Sequence, residues 1–280
     1  MKRLLAPLAL VVLVACNAGN GGADGRATTA ASGAGAITEA AEKTAATGSV
    51  ALEMTVEFQG NSQVPEGTTI GMTGSSTLGD PRIAELHADF EALGVGAIDM
   101  LIDDQAVYLR GGVIDQVLRS ARGGADWLFV DLASSDPAAQ QFAGLSSGQN
   151  DASLLLYFLF GESDDVEEVG SETIDGASTT RYSLTADLEE ALADAPADVR
   201  DALQANIDQL EAQSVDTRLE AEVWIDEEEL IRRVTYVYTM AGGGQMLTTA
   251  DFSEFGEPIE LDIPDPADVV DVSDLQGNGN

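Results

Sequence analysis

The chain is poor in the residues from which most active sites are built. Its 280 residues hold one cysteine, Cys16, and one histidine, His87. No intrachain disulfide can form, and no zinc set of Cys and His ligands is available. Basic residues are scarce too: 13 Lys and Arg stand against 49 Asp and Glu, a formal net charge of -36. A field of that sign repels nucleic acid and anionic lipid headgroups, which excludes both as electrostatic partners. The acids are spread along the chain, as on a solvated surface, rather than gathered in a tail. Aromatic residues make up 5% of the sequence, and no apolar run approaches the roughly 20 residues of a membrane-spanning helix.

What is present begins at the N-terminus. Lys2 and Arg3 precede an apolar stretch from Leu4 to Val14 and then the small Ala15, which is the order of an export signal. The lone thiol follows directly, and Leu13-Val14-Ala15-Cys16 resembles the bacterial lipobox. That resemblance implies a signal peptide over residues 1–15 and an acylated Cys16 that anchors the protein to the outer face of the cell membrane. At about 0.8 kcal/mol per buried CH₂, two or three acyl chains hold a protein there stably. Removing Lys2 and Arg3 takes the charge from -36 to -38 and leaves Lys43 as the single lysine. Residues 16–36, rich in Gly, Ala, Asn, Thr and Ser, read as a flexible tether with a reach of roughly 25 Å. A folded domain is expected over 37–272 and a polar tail over 273–280.

The dominant pattern within the domain has a period of two. Leu52, Met54, Val56 and Phe58 alternate with Ala51, Glu53, Thr55 and Glu57, which predicts a strand with one dry face and one wet face. The segments around Ala84 to Phe90, Ile98 to Ile102, Leu219 to Ile225 and Val234 to Met240 repeat it. One-sided alternation marks antiparallel sheets. Turn signals at Gly79-Asp80-Pro81, Asp103-Asp104-Gln105, Asp175-Gly176, Asp226 to Glu228 and Gly242 to Gly244 separate the segments into hairpins.

Helical period is rarer. Ile37 to Thr47 reads as a first helix with Glu39 and Lys43 spaced for an i,i+4 pair. Asp187 with Glu190 predicts a capped start, Pro196 a restart, and Val199, Leu203, Ile207 and Leu210 an apolar stripe. Leu154 to Phe160 has no polar residue on any side and is expected to be a helix buried against the sheet.

This order of elements resembles the LppX/LprG group of actinobacterial lipoproteins, within the LolA-like envelope lipid carriers. The residues that carry the resemblance are the lipobox, Trp127 to Leu132, Val169-Gly170, Ile174-Asp175-Gly176, Thr180-Arg181-Tyr182, Val223-Trp224-Ile225-Asp226 and Leu230 to Arg233. It implies an α+β fold, a strongly curved antiparallel half-barrel wrapped around a few helices, with an apolar cavity for a lipid or glycolipid. No cofactor and no catalytic residue follow from it. On the sheet, Leu52, Met54, Val56, Phe58, Met100 and Val223 are the candidate lining. Leu155, Phe158 and Leu159 complete it from the buried helix.

Enzymatic and metal readings find little support. Gly144-Leu145-Ser146-Ser147-Gly148 matches G-x-S-x-G, but the one histidine lies upstream, on the polar face of a strand with Glu85, Asp89 and Glu91. No D-x-D-x-D-G loop for calcium occurs. Three roles remain: a lipid carrier, a lipid-sensing or regulatory module with a protein partner, and a structural surface lipoprotein with a filled core. The residues themselves specify a dry face, not a cargo.

Overall fold

The computed structural model describes residues 33–60, 65, 67–120, 124–134, 152–161, 165–195, 197–212, 215–240 and 243–278. The chain divides into two units, Met1–Ala30 and Ala31–Asn280, and the described residues all lie in the second.

The first helix, α1 (Gly33–Ala45), buries Ile37, Ala40, Ala41 and Thr44, the i, i+3, i+4, i+7 face that its sequence presents. Lys43 does not pair with Glu39 along the helix. It reaches Glu229 at 2.9 Å instead, because Glu229, in the left-handed region at φ 60°, brings a carboxylate to it from a hairpin turn.

Six strands follow in a meander broken by one helix: β1 (Ser49–Gln59), β2 (Thr69–Thr77), β3 (Ile83–Phe90), β4 (Gly96–Asp103), β5 (Ala106–Arg110), α2 (Gly112–Ser120) and β6 (Trp127–Asp131). The second half contains α3 (Ala152–Tyr157), β7 (Glu167–Ile174), β8 (Ala177–Asp187), α4 (Leu188–Asp194), α5 (Ala197–Ala212), β9 (Arg218–Asp226), β10 (Ile231–Thr239) and β11 (Gln245–Ser253). A short β12 (Val269–Asp271) comes last. The described strands form one curved, open sheet in the order β12-β6-β5-β4-β3-β2-β1-β11-β10-β9-β8-β7. Pairing of β1 with β11, Met54 opposite Ala250, joins the two meanders.

Neighbours run antiparallel with one exception. After β11 the chain crosses to the far edge and lays β12 parallel to β6, with Val269 opposite Trp127. At the other edge β7 is exposed at every position but Ile174 and carries Glu167, Glu168 and Glu172, charges that discourage pairing with a foreign strand. Asp175-Gly176 turns β7 into β8 with both residues at positive φ, 48° and 85°, as a tight hairpin requires.

The helices cover one face of the sheet. Leu154, Leu155 and Leu156 of α3, and Phe158 and Leu159 of the 3-10 turn that continues it, are at most 2% exposed. Tyr236 of β10 donates its hydroxyl to the Leu155 carbonyl at 2.7 Å and meets the Phe158 ring edge-on at 5.5 Å. Asp187 caps α4, its carboxylate accepting from the amides of Glu189 and Glu190. Leu203, Ile207 and Leu210 of α5 are buried. Past β12, Val272 is buried and Leu275 packs partly against the core.

Candidate functional site

Because side chains alternate along each strand, register alone aligns the dry rows of adjacent strands. Val56 faces Thr248 of β11 on one side and Ile70 of β2 on the other. Met72 faces Ala88 of β3, Ala88 faces Ile98 of β4, and Met100 faces Leu109 of β5. These rows wall a pocket of about 260 Å³, close to the roughly 300–1,000 Å³ typical of small-molecule sites. Leu86, Phe90 and Tyr238 complete the sheet side, and Ile114 of α2 and Asn206 of α5 close it from the helix layer.

Two glycines set the position of α2. A Cβ on Gly96 would lie 2.9 Å from the Gly112 Cα, so only hydrogen at that site lets the start of α2 pack on β4 and deliver Ile114 to the wall. The inner wall, including Met54, Met72 and Ala88, is buried, whereas Val56, Phe58, Ile70, Phe90 and Met246 are half-buried. Half-burial of five large apolar side chains in two adjacent rows, with Ile70 beside Val56 and Met246 beside Phe58, marks the pocket's approach from solvent. Among the described residues no charged side chain lines it.

Of the residues expected to line a cavity, Met54, Val56, Phe58 and Met100 lie along this pocket. Leu52, Leu155, Phe158, Leu159 and Val223 are not among its lining residues and belong to the packed core. There Tyr236 and the α3 segment fill the space between sheet and helices. Sequence reading missed Asn206. It lies three residues after Leu203 and four before Leu210, on the same helical face, and is 6% exposed. A polar residue inside an apolar stripe was the available signal.

Among the described residues, three polar side chains line the pocket: Asn206, Tyr238 and Thr248. The Asn206 Oδ1 is fully buried without a hydrogen-bond partner. Burial pushes the Tyr238 phenol well above its ordinary pKa. Tyr236 is raised by burial and, secondarily, by Tyr238. Both therefore remain protonated donors at physiological pH.

The wet face of the sheet carries the cations. His87 Nδ1 donates to Asp99 at 2.7 Å and Arg110 Nε to the other Asp99 oxygen at 2.8 Å, and the Arg110 guanidinium lies 4.4 Å from the centre of the Trp127 ring. Arg181 pairs with Glu222, Arg233 with Asp251 and Arg232 with Asp226. Trp224 lies between Arg181 and Arg233 and donates Nε1–H to Glu172 at 2.9 Å. Residues 144–148, with the G-x-S-x-G match, lie outside the described residues, as does Cys16. Among the described residues no group of three His, Cys, Asp or Glu is placed to hold a metal, and no helix is long and apolar enough to cross a membrane.

Fold and site together define a class: an open, curved antiparallel sheet that encloses an apolar pocket against helices. More particularly, the chain is similar to an uncharacterized 31.2 kDa protein in the rplA-rplJ intergenic region of Streptomyces griseus, at 25% identity over 261 residues, 89% of this chain and 82% of that one. Among solved structures it is similar to the Mycobacterium tuberculosis lipoprotein LppX, at 16% identity and a TM-score of 0.45, covering 82% of this chain and 98% of that one. LprF from Mycobacterium bovis gives 16% identity and a TM-score of 0.47, over 84% and 96% of the two chains. No family model matches the sequence.

Proposed function

We propose that this chain is a lipoprotein of the bacterial cell envelope, acylated on Cys16 and held on the outer face of the cell membrane, that binds and carries a lipid or glycolipid without covalent chemistry. The observation that carries the proposal is the pocket: rows from seven strands, with no charge among the described residues that line it, open through half-buried apolar side chains. Each methylene moved into it from water contributes about 0.8 kcal/mol. No step needs a nucleophile, a base or a metal.

The test is native mass spectrometry, with organic extraction, of the full chain carrying Cys16→Ser and purified after export from an actinobacterial host. A stoichiometric lipid adduct is expected. In the Ala88→Phe variant the new ring occupies the pocket, so the adduct disappears. Overpacking there costs no more than the typical ~1–3 kcal/mol, because the ring enters vacant space. An apo mass from repeated wild-type preparations, with no uptake of an added acyl probe, would sink the carrier reading.

A further inference from the structure

The pocket has a polar corner that the packing of the fold does not use. Tyr236 and Tyr238 point to the same face of β10, two residues apart. The Tyr236 hydroxyl is committed to the Leu155 carbonyl, whereas the Tyr238 hydroxyl forms no hydrogen bond with a described residue. Thr248 of β11 pairs with Tyr236 in register, which makes it the diagonal neighbour of Tyr238 on the same face. Asn206 comes from α5, on the opposite side of the pocket, with its Oδ1 buried and unpartnered. Leaving such a group unsatisfied carries its full desolvation cost, which a hydrophobic residue in the stripe of Leu203, Ile207 and Leu210 would avoid.

We infer that Asn206, with Tyr238 and Thr248, recognises an uncharged hydrogen-bond donor on the bound lipid, a hydroxyl, and so selects neutral lipids that carry a free alcohol. The unpartnered Oδ1 can only accept, so its partner must donate, and a lipid hydroxyl that donates to it can accept in turn from the Tyr238 or Thr248 hydroxyl. Among the described residues no cation lines the pocket to neutralise a phosphate or carboxylate. Arg110, Arg181, Arg232 and Arg233 are bound to carboxylates on the wet face. A charged headgroup would enter the corner unpaired, and a plain hydrocarbon would leave Asn206 without a partner.

The inference rests on the carrier reading, and a matched probe series separates the two. Decane, decan-1-ol, methyl decanoate and decyl phosphate are titrated into the full Cys16→Ser chain against a bound fluorescent acyl probe. Decan-1-ol is expected to bind at least about tenfold more tightly than decane, methyl decanoate or decyl phosphate, the equivalent of one good hydrogen bond. Asn206→Leu, close in volume, abolishes that preference while decane binds as well or better. The same variant unfolds at a higher temperature, by about 2–4 °C. Tyr238→Phe weakens the preference without abolishing it.

Equal affinity for decane and decan-1-ol in the wild type overturns the polar corner and leaves the apolar pocket standing. Tightest binding of decyl phosphate overturns the neutral class. If no member of the series displaces the probe, the carrier reading falls and the inference falls with it. A wild-type preference that survives Asn206→Leu unchanged overturns the role of Asn206.

Discussion

Asp99 shows how the few cations are used at the scale of the residue. Partial burial pushes its carboxyl up, but the hydrogen bonds from His87 and Arg110 and the charge of Arg110 outweigh burial and hold it below the usual carboxylate value. A carboxylate with a lowered pKa in the folded state contributes stability above its unfolded value of about 3.9, and that contribution is lost as the pH falls through the folded value. Asp99→Asn is therefore expected to unfold more easily than wild type at neutral pH. The gap should close on acidification from about pH 4 downward. Denaturant titrations of both proteins across that range check it, and a gap that stays constant to the lowest pH would show that the pair contributes nothing. His87, which sequence alone places on a wet face, gains its partner only from strand pairing, since β4 brings Asp99 opposite it.

At the scale of the element, one hydroxyl ties the first helix to the sheet. Thr44 is fully buried, donates to the Ala40 carbonyl at 2.7 Å and accepts the amide of Ile231 at 2.9 Å. The register of β9 and β10 shifts just after Ile231, and a backbone amide freed at such an irregularity needs a partner. Thr44→Val keeps the shape and removes the oxygen. It is expected to lower stability by about 1–3 kcal/mol, seen as a lower denaturant midpoint at an unchanged slope. A change below a few tenths of a kcal/mol would mean that the amide finds another partner. Period two was sufficient to find β1, β3, β4, β9 and β10, because each strand buries one face. The parallel β12 was not legible, since three residues of strand carry no period and their partner is set by where a distant segment lands.

The whole molecule carries a formal charge of -36, and the described cations are largely paired on the wet face. Like charges at this density oppose compaction. Raising NaCl from about 10 mM to about 1 M shortens the screening length from about 30 Å to about 3 Å. The unfolding temperature should rise by several degrees, at about 2–4 °C per kcal/mol of repulsion removed. A flat or falling profile would show that the acids are too well separated to strain the fold.

Local chemistry in the sequence determined the alternation of the strands, the hairpin turns, the capped start of α4, the burial of α3 and the acidity of the surface, because each depends on neighbours within a few residues. Met54, Val56, Phe58 and Met100 could be recognised as dry-face residues for the same reason. Whether a dry face is a wall or a core is a different matter. Leu52 and Met54 are two residues apart on one strand and alike in sequence, yet Leu52 lies in filled core and Met54 faces a pocket. The difference arises from where the helices come to rest: α3 and its 3-10 turn fill the space beside Tyr236, while α2 and α5 leave a gap over Met54, Met72 and Ala88. Only the tertiary structure decided that, and with it the use of Asn206, because the volume left between packed layers depends on contacts between residues far apart in the chain.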